Sequence, residues 1–380
     1  FAEELVATTF AALEATGHDI AGPRGLLFDA EATGTALSDL AGQSLDAVLI
    51  LQVTFTDATM TVAIAERFEV PLSIWAFPEP RLGGRLRLNA FCGLNLAAHA
   101  LGLNGHGFGW LYSAPNEPSI GAALDELLAG GRRAEAAALA EPDDSLRPSA
   151  TEIALLARLR GMRIGRIGEH PPGFDTCAYD DDRLARLAGI SVEPIDLKRL
   201  FDTAGNIDAT AVDETREMAG EQLEGLGEVN SMELDRSLRL KGALDRIRAE
   251  GRYSAFAIRC WPEMFTEYGG AVCGPVAMMG ERRVPCACEA DVYGALTGLI
   301  LQEIADQPAF LVDLVDIDEA DGTAVVWHCG QAPISMADPK VAAKAAIHSN
   351  RQMPLLYEFP LKPGRVTFAR VSQAHGRQSM

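Results

Sequence analysis

Tyr253-Ser-Ala-Phe-Ala-Ile-Arg259 running into Cys260-Trp-Pro-Glu263, Val284-Pro-Cys-Ala-Cys288 running into Glu289-Ala-Asp291, and Thr323-Ala-Val-Val-Trp327 running into His328-Cys-Gly330 are three versions of one junction. In each, a short apolar run of strand character ends on a carboxylate or an imidazole. Ligands of α/β proteins sit in the crevice outside the carboxyl ends of the strands. Carboxylates joined by a neutral imidazole are also the donors for a hard or borderline divalent ion such as Mn²⁺ or Mg²⁺.

Outward from this centre, strand and helix alternate. Toward the N-terminus, Leu45–Leu51, Pro71–Trp75 and Gly105–Tyr112 read as strands, and residues 1–16, 58–67 and 90–100 as helices, with Asp57 placed to cap the second. Met162–Gly168 and Ile190–Ile195 are strands of a second unit that also holds a helical Leu184–Gly189, two long helices within 207–250 and the helix Val292–Ala305 behind Asp291. Gly165 and Gly168 form no dinucleotide fingerprint, because the spacing lacks the tight turn and the helix directly behind it. Beyond residue 306, Phe310–Asp316, Thr323–Trp327 and the alternating Gly364–Arg370 follow one another as strands, which is an antiparallel pattern. The expected fold is α/β, with parallel α/β domains at 1–145 and 146–305 and a mainly antiparallel β domain at 306–380, the first boundary lying near Glu141–Pro148. Phe1-Ala-Glu-Glu-Leu5 opens inside a helical pattern, so a first strand is expected to precede it.

Composition narrows the function. A chain of 380 residues with 48% hydrophobic and 23% charged residues is globular and long enough for two or three cores. Its net charge of −20 disfavours nucleic acid and acidic membrane surfaces as partners. No apolar run reaches the ~20 residues of a spanning helix, and no signal peptide is visible. Seven cysteines, five of them between residues 260 and 329, do not make a disulfide framework, which points to a reducing cytoplasm. Their spacing is not that of a paired zinc motif, so packing is the favoured reading.

Glu289 and Asp291 lie two apart, which puts both on one side of an extended segment. The plain alternative is a helix cap at Asp291 and a surface acid at Glu289. Glu263 follows Trp-Pro, and Glu267 lies four residues on as an equal candidate; Trp261 shares the junction. His328, between Trp327 and Cys329, is expected to be buried, whereas His170 and His348 have no such setting. Arg81, Arg85 and Arg87 stand out in an acidic chain, either as a solvated loop or as a contact with substrate or a neighbouring subunit. A divalent ion and two carboxylates suffice to shift a proton between neighbouring carbons of a sugar and so interconvert aldose and ketose.

Arg259-Cys-Trp-Pro-Glu263, Ala287-Cys-Glu-Ala-Asp-Val-Tyr-Gly-Ala-Leu-Thr297 and Trp327-His-Cys-Gly330 resemble segments of the L-fucose/L-arabinose isomerase-like superfamily, chiefly its divergent fucose isomerase-like branch. Leu51–Asp57, Arg87–Gly93 and Lys362–Thr367 support the likeness, which spans nearly the whole chain. The resemblance implies two Rossmann-like domains and a barrel-like β domain. It implies a Mn²⁺-type ion (or Mg²⁺ or Co²⁺) held by Asp291, His328 and either Glu263 or Glu267, with the acids also moving the proton. It implies a trimer or hexamer with sites near subunit interfaces, where the Arg81–Arg87 loop would act. The chain is much shorter than a true fucose or arabinose isomerase, so the resemblance carries the fold rather than L-fucose as substrate. The leading expectation is a metal-dependent aldose–ketose isomerase of a pentose, hexose, deoxy or sulfonated sugar. The alternatives are a non-catalytic sugar-binding protein and a metal-dependent lyase or epimerase, with a structural zinc protein a distant fourth.

Overall fold

The computed structural model describes residues 1–133, 147, 149–374 and 377–379. The chain divides into two compact units: Phe1–Pro142 with Pro172–Thr176 and Asp313–Trp327, and Asp143–Pro171 with Cys177–Val312 and His328–Met380. The boundary expected near 141–148 falls almost wholly outside the described residues.

In the first unit the order is α1 (Ala2–Ala15), α2 (Ala30–Asp39), β1 (Val48–Gln52), α3 (Thr59–Arg67), β2 (Leu72–Ala76), α4 (Ala90–Leu103), β3 (Phe108–Tyr112) and α5 (Ile120–Leu128). The three strands form a parallel sheet in the order β1-β2-β3. β2 is buried along its whole length because both its edges and both its faces are covered, and Ile74 and Trp75 expose nothing. Asp57 accepts the Thr59 N–H at 2.9 Å, holding the first turn of α3 as its position suggested.

The second unit holds α6 (Ala150–Leu159), β4 (Arg163–Ile167), α7 (Asp181–Ala188), β5 (Ser191–Ile195), α8 (Leu197–Gly205), α9 (Ala209–Gln222), α10 (Ser231–Gly251), β6 (Ala255–Ile258), α11 (Cys273–Glu281), β7 (Cys286–Ala287) and α12 (Val292–Ala305). Its sheet is all parallel, in the order β5-β4-β6-β7. β6 reads as an unbroken apolar run because alternate residues enter two cores. Phe256 and Ile258 pack with Leu238 and Leu244 of α10, and Ala255 and Ala257 with Tyr293 and Leu296 of α12. Helix ends follow their caps: Ser149 and Glu152 close a reciprocal box on α6, and Gly189 (φ 65°) ends α7 in the left-handed conformation.

The remaining strands pair antiparallel. β8 (Asp313–Asp318) and β9 (Thr323–Trp327) form a hairpin that belongs to the first unit, where β8 packs on α4. β10 (Lys344–Ala346) pairs with β11 (Leu356–Glu358), and β12 (Ser372–Ala374) with β13 (Arg377–Ser379). The fold is thus mixed α/β, with two parallel sheets and antiparallel C-terminal pairs. Residues 306–380, expected as one domain, are shared between the two units. Gly364–Arg370, expected as a strand, has no ladder partner among the described residues. Its alternation turns Val366 and Phe368 to solvent instead of to a core, and periodicity makes a strand only where an open edge can pair. Among the described residues, no helix is long and apolar enough to cross a membrane.

Candidate active site

β6 and β7 are paired neighbours, and just beyond their carboxyl ends the Cys260 and Cys288 thiols are hydrogen-bonded. After β6 the chain passes through the cis Trp261-Pro262 peptide into one wide helical turn over Met264–Tyr268, with Glu263 at its head. Glu263 takes both prongs of Arg259, from Nε at 2.6 Å and Nη2 at 2.7 Å. Arg259 Nη1 also donates to the carbonyls of Glu169 and His170, at 3.2 and 3.4 Å. Glu267 is exposed on the same turn, and Trp261 is half-buried against the core.

Hydrogen bonding from Arg259 holds the Glu263 carboxyl below its usual range against the opposing effect of burial. A depressed carboxyl contributes stability that is present above its unfolded value, near 4.3, and is lost as pH falls through the folded one. Glu263→Gln is therefore expected to be less stable than the parent at neutral pH, with the gap closing below about pH 4. Urea melts from neutral to acid pH check this, and a gap independent of pH would refute it.

β7 ends in a turn that runs through Glu289 (φ 55°) and Ala290 (φ 53°), two consecutive non-glycine residues in the left-handed region. Each such conformation costs on the order of 1–3 kcal/mol and persists only where its surroundings impose it. The turn breaks the extended geometry that would set Glu289 and Asp291 on one side. Cys260 Sγ donates to Glu289 Oε1 at 3.4 Å and is hydrogen-bonded to the Cys288 thiol. Gln331 Nε2 donates to Cys288 Sγ at 2.9 Å and to His328 Nδ1 at 2.5 Å. Glu289, Cys260, Cys288, Gln331 and His328 thus form one continuous chain of contacts, in which Glu289 is half-buried and Cys260, Cys288, Gln331 and His328 are buried.

Beyond His328, Cys329 places its Sγ 3.4 Å from the ring Nδ1 and 3.8 Å from Cys273 Sγ, and its backbone N–H donates to Nδ1 at 2.9 Å. The thiols titrate unequally. The bond from Cys288 lowers Cys260, but burial and the Glu289 charge outweigh it and push it up to about 11. Cys329 lies well below the usual thiol range, through the Cys273 hydrogen bond and the His328 and His348 rings, against burial.

Asp291 is buried. Its Oδ1 accepts the Gly294 N–H at 2.8 Å as the cap of α12, and Arg370 pairs with it from Nη1 at 2.6 Å and Nη2 at 3.3 Å. Among the described residues, the one group of three or more metal-type donors is Cys260, Cys288 and Glu289, whose ligand atoms all lie within 4.8 Å of one another. Of the acids singled out in the sequence, Glu289 stands in this group; Glu263, Glu267 and Asp291 do not. Sequence reasoning took the cysteines as packing and set His348 aside. The usable signal was that Cys288 directly follows β7 and Cys260 lies two residues beyond its neighbour β6. A further acid it did not weigh, Asp313, opens β8 in register with Trp327.

In the first unit, Arg81 is exposed and pairs with Asp318 and, at 3.9 Å, with Asp316. Asp316 is buried and also takes the Tyr112 hydroxyl, whose pKa is raised by burial first and then by this carboxylate. Arg85 and Arg87 are exposed, and the backbone N–H groups of Arg87, Leu88 and Asn89 all point at Glu79.

A family model described as the fucose/sulfoquinovose isomerase N-terminal domain matches residues 3–135. A sulfoquinovose isomerase of Priestia aryabhattai is 30% identical over 351 residues, covering 92% of this chain and 74% of its own length. Another, of Alkalicoccus urumqiensis, is 31% identical over 327 residues, covering 86% of this chain and 69% of its own. A third, of Clostridium sp. (strain MSTE9), is 30% identical over 343 residues, covering 90% of this chain and 71% of its own.

Proposed function

Because this chain belongs to the fucose and sulfoquinovose isomerase family, and is an isomerase, we propose that it interconverts the aldose and ketose forms of a sulfonated hexose of the sulfoquinovose class. The observation that carries the proposal is the chain of contacts that joins Glu289 to His328 through Cys260, Cys288 and Gln331. It supports an acid just beyond the carboxyl ends of a parallel sheet, where such folds bind ligands, joined to an imidazole through three buried side chains.

The residues fit a divalent ion on one condition. As arranged, His328 Nδ1 accepts hydrogen bonds, so the neutral ring carries its proton on Nε2. Gln331 Oε1 is buried without a partner. The Cys329 backbone N–H donates to Nδ1 at 2.9 Å and keeps that nitrogen an acceptor, so His328 ligates only once its ring turns from that bond and offers a bare nitrogen. Glu289 and His328 would then hold the ion, with Mn²⁺, Mg²⁺ or Co²⁺ suited to a carboxylate and an imidazole. When bound, such an ion supplies a Lewis acid for the sugar oxygens.

The Glu289 carboxylate takes the proton from C2 of the open-chain aldose and returns it to C1, while the hydroxyl proton passes from O2 to O1; an ene-diolate lies between the two transfers. Cys260 steadies Glu289 by donating to it, and the left-handed turn fixes its direction. Glu263, Glu267 and Asp291 act on this reading as supports, Asp291 through its cap and its Arg370 pair. A sulfonate needs fixed positive charge, and Arg81, Arg85 and Arg87 supply it on an otherwise acidic protein, in a trimer or hexamer from a neighbouring subunit.

The test is conversion of sulfoquinovose, glucose, L-fucose and L-arabinose by chelator-treated protein resupplied with Mn²⁺, Mg²⁺ or Co²⁺, followed by NMR in D₂O. Conversion of sulfoquinovose with solvent deuterium entering at C1 of the ketose or C2 of the aldose is expected. Two smaller fragments would mean a lyase. No turnover of any sugar with any of the three ions would overturn the proposal.

A further inference from the structure

We propose that Cys260, Cys288 and Glu289 form a site for a thiophilic divalent cation of the zinc class, distinct in preference from the oxygen-loving ion of the sugar reaction. The two thiols do not meet by accident of packing alone. They lie just beyond the carboxyl ends of neighbouring parallel strands, β6 and β7, where their thiols are hydrogen-bonded, and the strained turn at residue 289 brings a carboxylate against the first of them.

The distances suit a small ion. Tetrahedral zinc, with sulfur at about 2.3 Å and oxygen at about 2.0–2.2 Å, holds its donors about 3.5–3.8 Å apart. Cys260 Sγ already stands 3.4 Å from Glu289 Oε1, and no pair of the three donor atoms exceeds 4.8 Å. Closing the group around an ion asks for movements of about 1 Å, within reach of side-chain torsions.

Two further observations point the same way. Gln331 Nε2 lies 2.9 Å from Cys288 Sγ, the hydrogen bond that would steady a metal-bound thiolate from outside. Gln331 Oε1, in a side chain only 3% exposed, has no partner, an unsatisfied oxygen on the same side chain that holds that sulfur. Two sulfurs and one carboxylate are a softer set than Mn²⁺ or Mg²⁺ selects, and they match Zn²⁺ and Co²⁺. Binding releases the protons of both thiols to solvent, so it strengthens as pH rises.

The consequence is competition. The site shares Glu289 with the proposed proton transfer, so zinc held there withdraws the base and inhibits, and a chelator restores activity. The site itself rests on the thiols and stands whether or not the sugar reading holds.

Co²⁺ added to chelator-treated protein tests this directly. A near-ultraviolet thiolate-to-cobalt charge-transfer band is expected, saturating at one equivalent, bleached by Zn²⁺, untouched by Mn²⁺, and lost in Cys288→Ala and in Cys260→Ala. X-ray absorption on the zinc-loaded parent protein, which needs no variant to fold, is expected to show two sulfur neighbours at about 2.3 Å. A cobalt spectrum without that band, a band unchanged in both variants, or a zinc shell of nitrogen and oxygen alone would overturn the inference. A protein that isomerises sugar with Mn²⁺ yet shows no cobalt–thiolate band overturns the zinc-class site and leaves the sugar reading intact. The band without turnover does the reverse.

Discussion

Glu289→Gln should lower the turnover of the isomerase about 10²–10⁴-fold while leaving the folded protein as stable as the parent. The amide keeps the size of the carboxylate, and its oxygen can still accept from Cys260, which stands 3.4 Å away. The left-handed turn at residues 289 and 290 is a property of the backbone and survives the change. What the variant loses is the ability to carry a proton between two carbons. The effect therefore falls on kcat more than on KM, and solvent deuterium no longer enters the sugar. Thermal melts together with exchange of the C2 hydrogen measure both halves. A variant that exchanges that hydrogen at the parental rate would remove Glu289 from the chemistry.

The second large effect is expected at Asp291 and is structural. Asp291→Ala removes the cap of α12 and strands Arg370, for a loss of about 2–4 kcal/mol, less than for a fully buried pair because Arg370 is 37% exposed and can turn to water. Asp291→Asn keeps an oxygen for the Gly294 N–H and gives up only the charge, so it should fall between parent and Ala. Urea denaturation of the three proteins gives the order. Full stability in Asp291→Asn with no activity would instead return Asp291 to the ligand role that its motif suggested.

These two residues also show where the sequence could be read and where it could not. β6 and β7 were visible as apolar runs because both strands are buried along their whole length, and the acids beyond their ends were visible as breaks in that run. The relation between Glu289 and Asp291 was not. The alternation argument presumes an extended chain, and nothing in Cys288-Glu-Ala-Asp291 announces two left-handed residues in succession, a conformation the surrounding fold imposes. Arg370 was equally hidden, since it reaches Asp291 from 79 residues away. The thiol cluster escaped because a buried cysteine looks the same in a sequence whether it packs against leucine or against another thiol. α11 was missed for a local reason. Gly-Pro weakens a helix interior, yet Pro275 lies in the first turn of this helix, where its missing N–H costs nothing, and Gly274 is needed where an added Cβ would stand 2.8 Å from Leu355.

The composition of the first unit bears on how the protein comes into being. That unit is three stretches of chain, the last being the β8–β9 hairpin, which supplies β8 to the flank of α4 and Asp316 to the Tyr112 hydroxyl. A ribosome delivers residues 1–133 early, but not the hairpin that completes them. Until Trp327 has emerged, the α4 flank waits uncovered while the whole of β4–β7 is made. The unit that begins first is therefore finished only after the other has most of its chain, and a fragment cut at residue 142 would lack the strand that packs on α4.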